Sequence, residues 1–388
     1  MVSRSSSGPV FELGQTPPNP LPNLAKPDQI GIPAPLPYGH GSDGFVKVSG
    51  LSKTIPQARK QSRDRRGGVA ALTGRREFLA LLAPLAGCGS RPQVEAASGS
   101  SSVSAPPANT RLVFGGDVML SRYVSRNAHQ RNDPSWPFRQ IAPFFEAADI
   151  AFINLESPFT ERTKPFDRGM VFGASPDMLE GLRLAGIDVV STANNHARDC
   201  GDKGIEFTLQ LLKDNGIAAA GTGLTEDLAH AGAMLERNGT RFGFLAYTYD
   251  QRNGNYQDDD NRIAVMDIGR LREDLCSLKQ RADVAIVSMH AGNEYQRKQN
   301  SRQTAFARAA IDAGATVVVG HHPHVVQPVE QYKGGVIFYS LGNLIFDQSD
   351  APGTERGLMA EVTFSGNRLL SYAVKPVIIQ NTVPKLSS

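Results

Sequence analysis

The sequence predicts an α/β fold with largely buried strands, on three observations. Seven short apolar runs, residues 111–114, 150–153, 187–192, 241–246, 284–289, 316–319 and 336–339, have the length and β-branched content of core strands. Stretches with helical apolar spacing, residues 176–185, 204–215 and 304–313, lie between several of them. Six of the runs stop at a polar cluster rich in Asp, Asn, Glu, His and Gly, and the carboxyl ends of strands in an open α/β sheet are where sites form.

Residues 110–380 read as one continuous α/β unit, long enough to bury a large core. Its tail, residues 357–376, has the pattern of antiparallel strands. The domain is therefore placed at 109–388, and no internal repeat is visible. A net charge of +3 over 388 residues argues against nucleic acid as a partner. The three cysteines, Cys88, Cys200 and Cys276, are too few for a disulfide-dense scaffold or a cysteine-based zinc cluster. The spacing gives no ground to expect a Cys200–Cys276 bridge.

Residues 73–88 have the three parts of a secretory signal. Arg75 and Arg76 form the positive end, 78–87 the apolar stretch, and Leu85-Ala86-Gly87-Cys88 the small-residue end. The apolar stretch is far short of the ~20 residues that span a bilayer. Arg75-Arg76-Glu77-Phe78-Leu79 resembles a twin-arginine export signal. The segment ending at Cys88 resembles a bacterial lipobox, in which the cysteine is lipidated. The expectation is an exported, membrane-anchored lipoprotein of the bacterial cell envelope. Residues 89–108, rich in Ser, Gly, Ala and Pro, read as a flexible tether. Residues 1–72 hold nine prolines in their first forty positions and no core pattern. They are expected to be either a disordered extension or the product of a start assigned too early, with Val69 a candidate start.

The strand ends carry the chemistry. They read Gly115-Gly116-Asp117, Asn154-Leu155-Glu156, Ala193-Asn194-Asn195-His196, His290-Ala291-Gly292-Asn293-Glu294, Gly320-His321-His322-Pro323-His324 and Ser340-Leu341-Gly342-Asn343. Asp, Glu, Asn and His are ligands for hard-to-borderline divalent cations. His322 and His324 stand two apart, so an extended segment points both rings to one face, and Pro323 keeps that segment out of helix. Three of the eight histidines fall within residues 321–324. Each cluster alone is as readily a turn or a cap; the six in this order point to one shared site.

That order resembles the calcineurin-like metallophosphoesterases, and the fuller set resembles the CapA family of capsule and poly-γ-glutamate synthesis. The matching stretches are 116–120, 154–156, 193–199, 290–295, 311–314, 320–327 and 339–343. The resemblance implies a four-layer α/β/β/α sandwich with two divalent ions, Mn, Fe or Zn, at one edge. It makes Asp117, Glu156, Asn195, His290, His322 and His324 the metal shell and His196 the catalytic residue beside the substrate. Glu294, Asp199 and Asn343 become substrate or outer-shell groups, and His321 is an alternative to His322 in the histidine motif. Two departures from the general phosphoesterase pattern appear: Met119 stands where that pattern has a histidine, and Glu156 where it has an aspartate. CapA-like sequences share both. The resemblance implies two-metal hydrolysis of a phosphoester, with cell-surface polymer or phosphoester as substrate and polymer synthesis or export proteins as partners. The alternatives are a non-catalytic metal-binding component of that machinery, a hydrolase of the polymer itself, and a surface-binding lipoprotein. Arg162, Lys164 and Arg168 are candidates for a basic polymer groove, though a solvated loop explains them as well.

Overall fold

The computed structural model describes residues 108–161, 169–249, 261–349 and 351–387. The leader, Cys88, the tether, and Arg162, Lys164 and Arg168 lie outside them. The described part is an α/β sandwich built on two mixed sheets.

The first sheet is centred on parallel strands β1 (Asn109–Val118), β2 (Ile150–Leu155), β3 (Val189–Ser191) and β4 (Ala218–Ala220). Its other half is the antiparallel run β12 (Arg356–Ser365), β13 (Arg368–Gln380) and β14 (Val383–Leu386), with β12 alongside β1. A short strand, β11 (Asn343–Ile345), joins the carboxyl end of β1 in parallel. The second sheet runs β5 (Ala233–Arg237), β6 (Thr240–Thr248), β7 (Val284–His290), β8 (Val317–His321), β10 (Gly335–Phe338) and β9 (Val329–Tyr332). Its four central strands are parallel and its two edges antiparallel.

Strand alternation sorts the apolar residues into three clusters. Leu112, Phe114, Ile150 and Phe152 of the first sheet share one cluster with Phe242, Phe244, Ile286, Val317 and Phe338 of the second. Phe152 is its hinge, tilted against Phe114 at 5.6 Å and stacked on Phe244 at 5.8 Å. The opposite faces, Val113, Ala151 and Ile153, pack with Phe138, Phe145, Leu182 and Leu212 of the helical segments. On the second sheet, Leu245, Val287, Val318 and Ile337 pack with Leu271, Leu275, Phe306 and Ala310. Burying each such side chain contributes roughly 1.5–3 kcal/mol, so the three clusters dominate the stability of the sandwich.

The helices are α1 (Arg122–Gln130), α2 (Ala142–Glu146), α3 (Leu179–Leu184), α4 (Gly201–Asp214), α5 (Glu226–His230), α6 (Ile268–Lys279) and α7 (Ser301–Asp312). α7 starts at a reciprocal capping box between Asn300 and Gln303, which satisfies two of its otherwise unpaired N–H groups. α6 starts where the Asp267 side chain accepts the Arg270 N–H at 2.7 Å. The apolar runs of the sequence coincide with β1, β2, β3, β6, β7, β8 and β10 within a few residues. Cys200 carries a thiol, not a disulfide.

Candidate metal centre

Register brings the polar strand ends together. In the first sheet Asn343, Asp117 and Asn154 are partners across β11, β1 and β2. In the second, Thr248, His290 and His321 are partners across β6, β7 and β8. The two rows meet at the carboxyl edge of the sandwich, where the His322 main-chain N–H donates to Asp117 Oδ2 at 3.1 Å.

Two glycines permit this approach. A Cβ on Gly116 would sit 2.0 Å from the Gly342 carbonyl oxygen, and one on Gly320 would sit 2.0 Å from that of Tyr339. Past β8 the chain turns so sharply that His322 and His324 take φ of 94° and 57°. That left-handed backbone costs a non-glycine residue about 1–3 kcal/mol. The cost aims both imidazoles inward.

Asp117, Glu156, Asn195, His196, His290, His321, His322 and His324 are all buried. Two groups of donors lie within 4.8 Å of one another, Glu156 with His290 and His322, and Asp117 with Glu156 and His324. Glu156 belongs to both. Neither of its oxygens has a hydrogen-bond partner, nor does Nδ1 of His322. Buried carboxylates left this way are costly and uncommon. An N/O donor set with partnerless atoms fits a divalent cation, and these residues are the ones that would hold it.

The electrostatics agree. Burial pushes the Glu156 carboxyl well above the usual range, and the charges of Asp117, Glu294 and Asp199 add to it while Arg122 opposes. Burial would also raise Asp117, but hydrogen bonds and charges from His321 and His324 override it and hold the group well below its ordinary value. Burial drives His290 well down, and the neighbouring His322 pushes the same way. Burial and the charge of His324 take His322 down to about 3. Neutral imidazoles beside carboxylates are the ligand form of these groups.

Outer contacts orient the donors. Asn154 Nδ2 donates to Asp117 Oδ1 at 2.9 Å and lies 3.2 Å from His290 Nδ1. His290 Nε2 is 2.8 Å from Asn195 Oδ1. Asn343 Oδ1 is 2.9 Å from His324 Nδ1, and Asn343 Nδ2 donates to the Thr354 carbonyl at 3.0 Å. His196 Nδ1 is 2.7 Å from Asp199 Oδ2, which also accepts the Phe172 N–H at 2.7 Å. His321 is buried against the Phe152 ring, its Nδ1 3.4 Å from Asp117 Oδ1, outside both donor groups. Glu294 is exposed on the loop after β7 and reaches the centre only through its charge. Met119 is buried, and its sulfur accepts the Ser121 N–H at 3.1 Å.

Three residues close to the centre are given no role by the motif reading, although one of them, Asn154, falls inside a matching stretch. Asn154 could have been found from its i, i+2 relation to Glu156, which puts both on one face of β2. Phe172 and Arg122 carry no motif signal; tertiary packing stacks Phe172 on His196 and lays Arg122 over Phe172.

Residues 111–348 match the family described as bacterial capsule synthesis protein PGA_cap. The chain belongs to that family. Among its relatives, the PGA biosynthesis protein CapA of Bacillus subtilis is 32% identical over 276 residues, 70% of this chain and 72% of its own. The capsule biosynthesis protein CapA of Bacillus anthracis is 30% identical over 283 residues, 70% of this chain and 67% of its own. A solved structure, a hypothetical protein from Thermus thermophilus, aligns with 69% of this chain and 98% of its own at TM-score 0.47 and 19% identity. The PGA_cap match contains every donor of the candidate centre, from Asp117 to His324, and Asn343 as well.

Proposed function

We propose that this PGA_cap protein is a metal-dependent phosphoester hydrolase acting in capsule or poly-γ-glutamate synthesis or export. The observation that carries the reading is Glu156, shared by two donor groups, with both carboxylate oxygens partnerless beside the His196–Asp199 pair. The shared carboxylate supports two cations. The three apolar clusters support the four-layer α/β/β/α order of the calcineurin-like enzymes. The names of the Bacillus relatives support the cellular process.

Divalent cations at such a centre supply Lewis-acid polarisation of a phosphoryl group and a more acidic water. The protein's own residues supply the rest. Asn154 and Asn343 hold Asp117 and His324 in the orientation their ligand roles require. Asp199 engages His196 Nδ1, so Nε2 is the nitrogen left to give a proton to the leaving oxygen. Replacing His196 by Ala should lower turnover by roughly 10²–10⁴-fold with metal content retained; equal loss of both would contradict this role.

Export and anchoring are proposed on the 73–88 segment, with Cys88 as the lipidated residue. Among the described residues no helix is long and apolar enough to cross a membrane; the attachment proposed here is the lipid on Cys88. Membrane fractionation of wild type and Cys88→Ala tests this, and unchanged membrane retention would refute it.

A further inference from the structure

The His196–Asp199 pair is held from an unexpected side. Phe172 lies face to face on the His196 imidazole, ring centres 3.7 Å apart and planes 20° from parallel. The same residue's main-chain N–H donates to Asp199 Oδ2, the oxygen that engages His196 Nδ1. One residue thus grips both members of the pair. Phe172 is itself buried, and Phe346 meets it edge-on at 5.8 Å.

The Arg122 guanidinium lies over the Phe172 ring, 4.6 Å from its centre. Asp347 fixes the guanidinium through a two-point contact, Arg122 Nε to Oδ2 at 3.1 Å and Nη2 to Oδ1. Arg122 Nη1 donates to the Gly169 carbonyl at 3.2 Å, and the Tyr123 N–H donates to Asp347 Oδ2 at 3.2 Å. The backbone of Arg122 sits at φ 48°, a conformation an arginine adopts at a cost. That cost is sustained at the residue whose fork is tied down on two sides, as a fixed platform requires.

We propose that Phe172 and Arg122 are positioning residues for His196, a stacked clamp that sets where its Nε2 points. The inference rests on the proton-donating role of His196 proposed above. The ring face sets the plane of the imidazole, the Asp199 bond sets its rotation, and the Arg122–Asp347 pair keeps Phe172 from sliding. A histidine fixed on one edge alone could tilt, and a misplacement of about 1 Å costs roughly 10²-fold.

The test uses the full-length protein loaded with Mn²⁺ and the variants Phe172→Leu and Arg122→Gln. Proton donation matters most when the leaving group is poor. Turnover of bis-phenyl phosphate, a phenol ester, should therefore fall about a hundredfold in Phe172→Leu. Turnover of bis-p-nitrophenyl phosphate should fall only a few-fold, with KM and metal content near wild type. Arg122→Gln should move in the same direction by a smaller factor. Histidine ring NMR in ¹³C-labelled protein gives a readout independent of turnover. The stacked His196 protons should sit upfield in wild type and return toward ordinary positions in Phe172→Leu. Equal losses for both esters, or loss of bound metal in parallel, would overturn the positioning role, as would His196 shifts that do not respond. A wild type that hydrolyses neither ester would instead count against the hydrolase reading, and the ring shifts alone would then decide whether the clamp exists.

Discussion

Replacing Glu156 by Leu should make the metal-free protein more stable and the metal-loaded protein comparatively less so. The side chain is fully buried and neither oxygen has a hydrogen-bond partner. Leaving buried polar groups unsatisfied costs about 1–3 kcal/mol. An apolar side chain of similar size removes that cost and introduces a shape mismatch under about 1.5 kcal/mol. The net gain without metal is then on the order of 1–2 kcal/mol, which for a domain of this size raises Tm by about 2–4 °C per kcal/mol. With metal the order reverses, because a cation at a hundred times its Kd stabilises wild type by about 2.7 kcal/mol and the variant has lost the ligand common to both groups. Paired thermal melts in EDTA and in excess Mn²⁺ measure both halves. A variant that melts below wild type in EDTA would mean that Glu156 is a satisfied structural carboxylate, and the reasoning would fail.

Other outcomes follow from the same geometry. His290 and His322 titrate below their ordinary value in the fold, so the unfolded chain binds more protons; the His322 contribution is whole above about pH 6.5 and is lost as pH falls toward about 3, and that of His290 is lost in the same direction. Glu156, shifted upward, has the opposite sign: its contribution is greatest below its ordinary value and is lost as pH rises through the shifted one. Metal-free melts from pH 4 to 8 should therefore show acid destabilisation that is weaker in His322→Ala; an unchanged profile would contradict it. Asn343→Ala should weaken metal binding roughly 10–100-fold by freeing His324, read by calorimetric titration, and an unaltered Kd would remove Asn343 from that role. Gly320→Ala should cost several kcal/mol, since its Cβ would lie 2.0 Å from the Tyr339 carbonyl; chemical denaturation showing a loss under about 1 kcal/mol would refute the close approach.

The buried parallel strands were readable because their apolar runs stand out over any register, as in β7 and β8. The edge and connecting strands β4, β5, β9, β11 and β14 were not. β4 is three alanines, with no β-branched signal. β11 is three residues whose strand character comes from pairing with β1, a partner 226 positions away at the Asp117–Asn343 pair. Helices α1, α2, α5 and α6 were missed as well, and the strongly amphipathic α1 is a case where polar residues outnumber the apolar stripe. At the centre, Asp117, Glu156, His290, His322 and His324 were legible because donor residues after strand ends converge whenever those strands share an edge. Glu294 was legible as a motif residue yet lies exposed on the loop after β7, a position the sequence pattern does not encode. The Phe172–Arg122–Asp347 contacts join three distant segments through ring packing and an ion pair, which no local pattern encodes.

The most direct test of the account is elemental analysis of the purified wild type and His322→Ala, with bis-p-nitrophenyl phosphate turnover measured on the same samples. Bound Mn, Fe or Zn in wild type, with both metal and turnover sharply reduced in His322→Ala, is the predicted result. Wild-type protein that takes up no divalent metal under any supplementation, or that turns over the ester equally well in both forms, would contradict it.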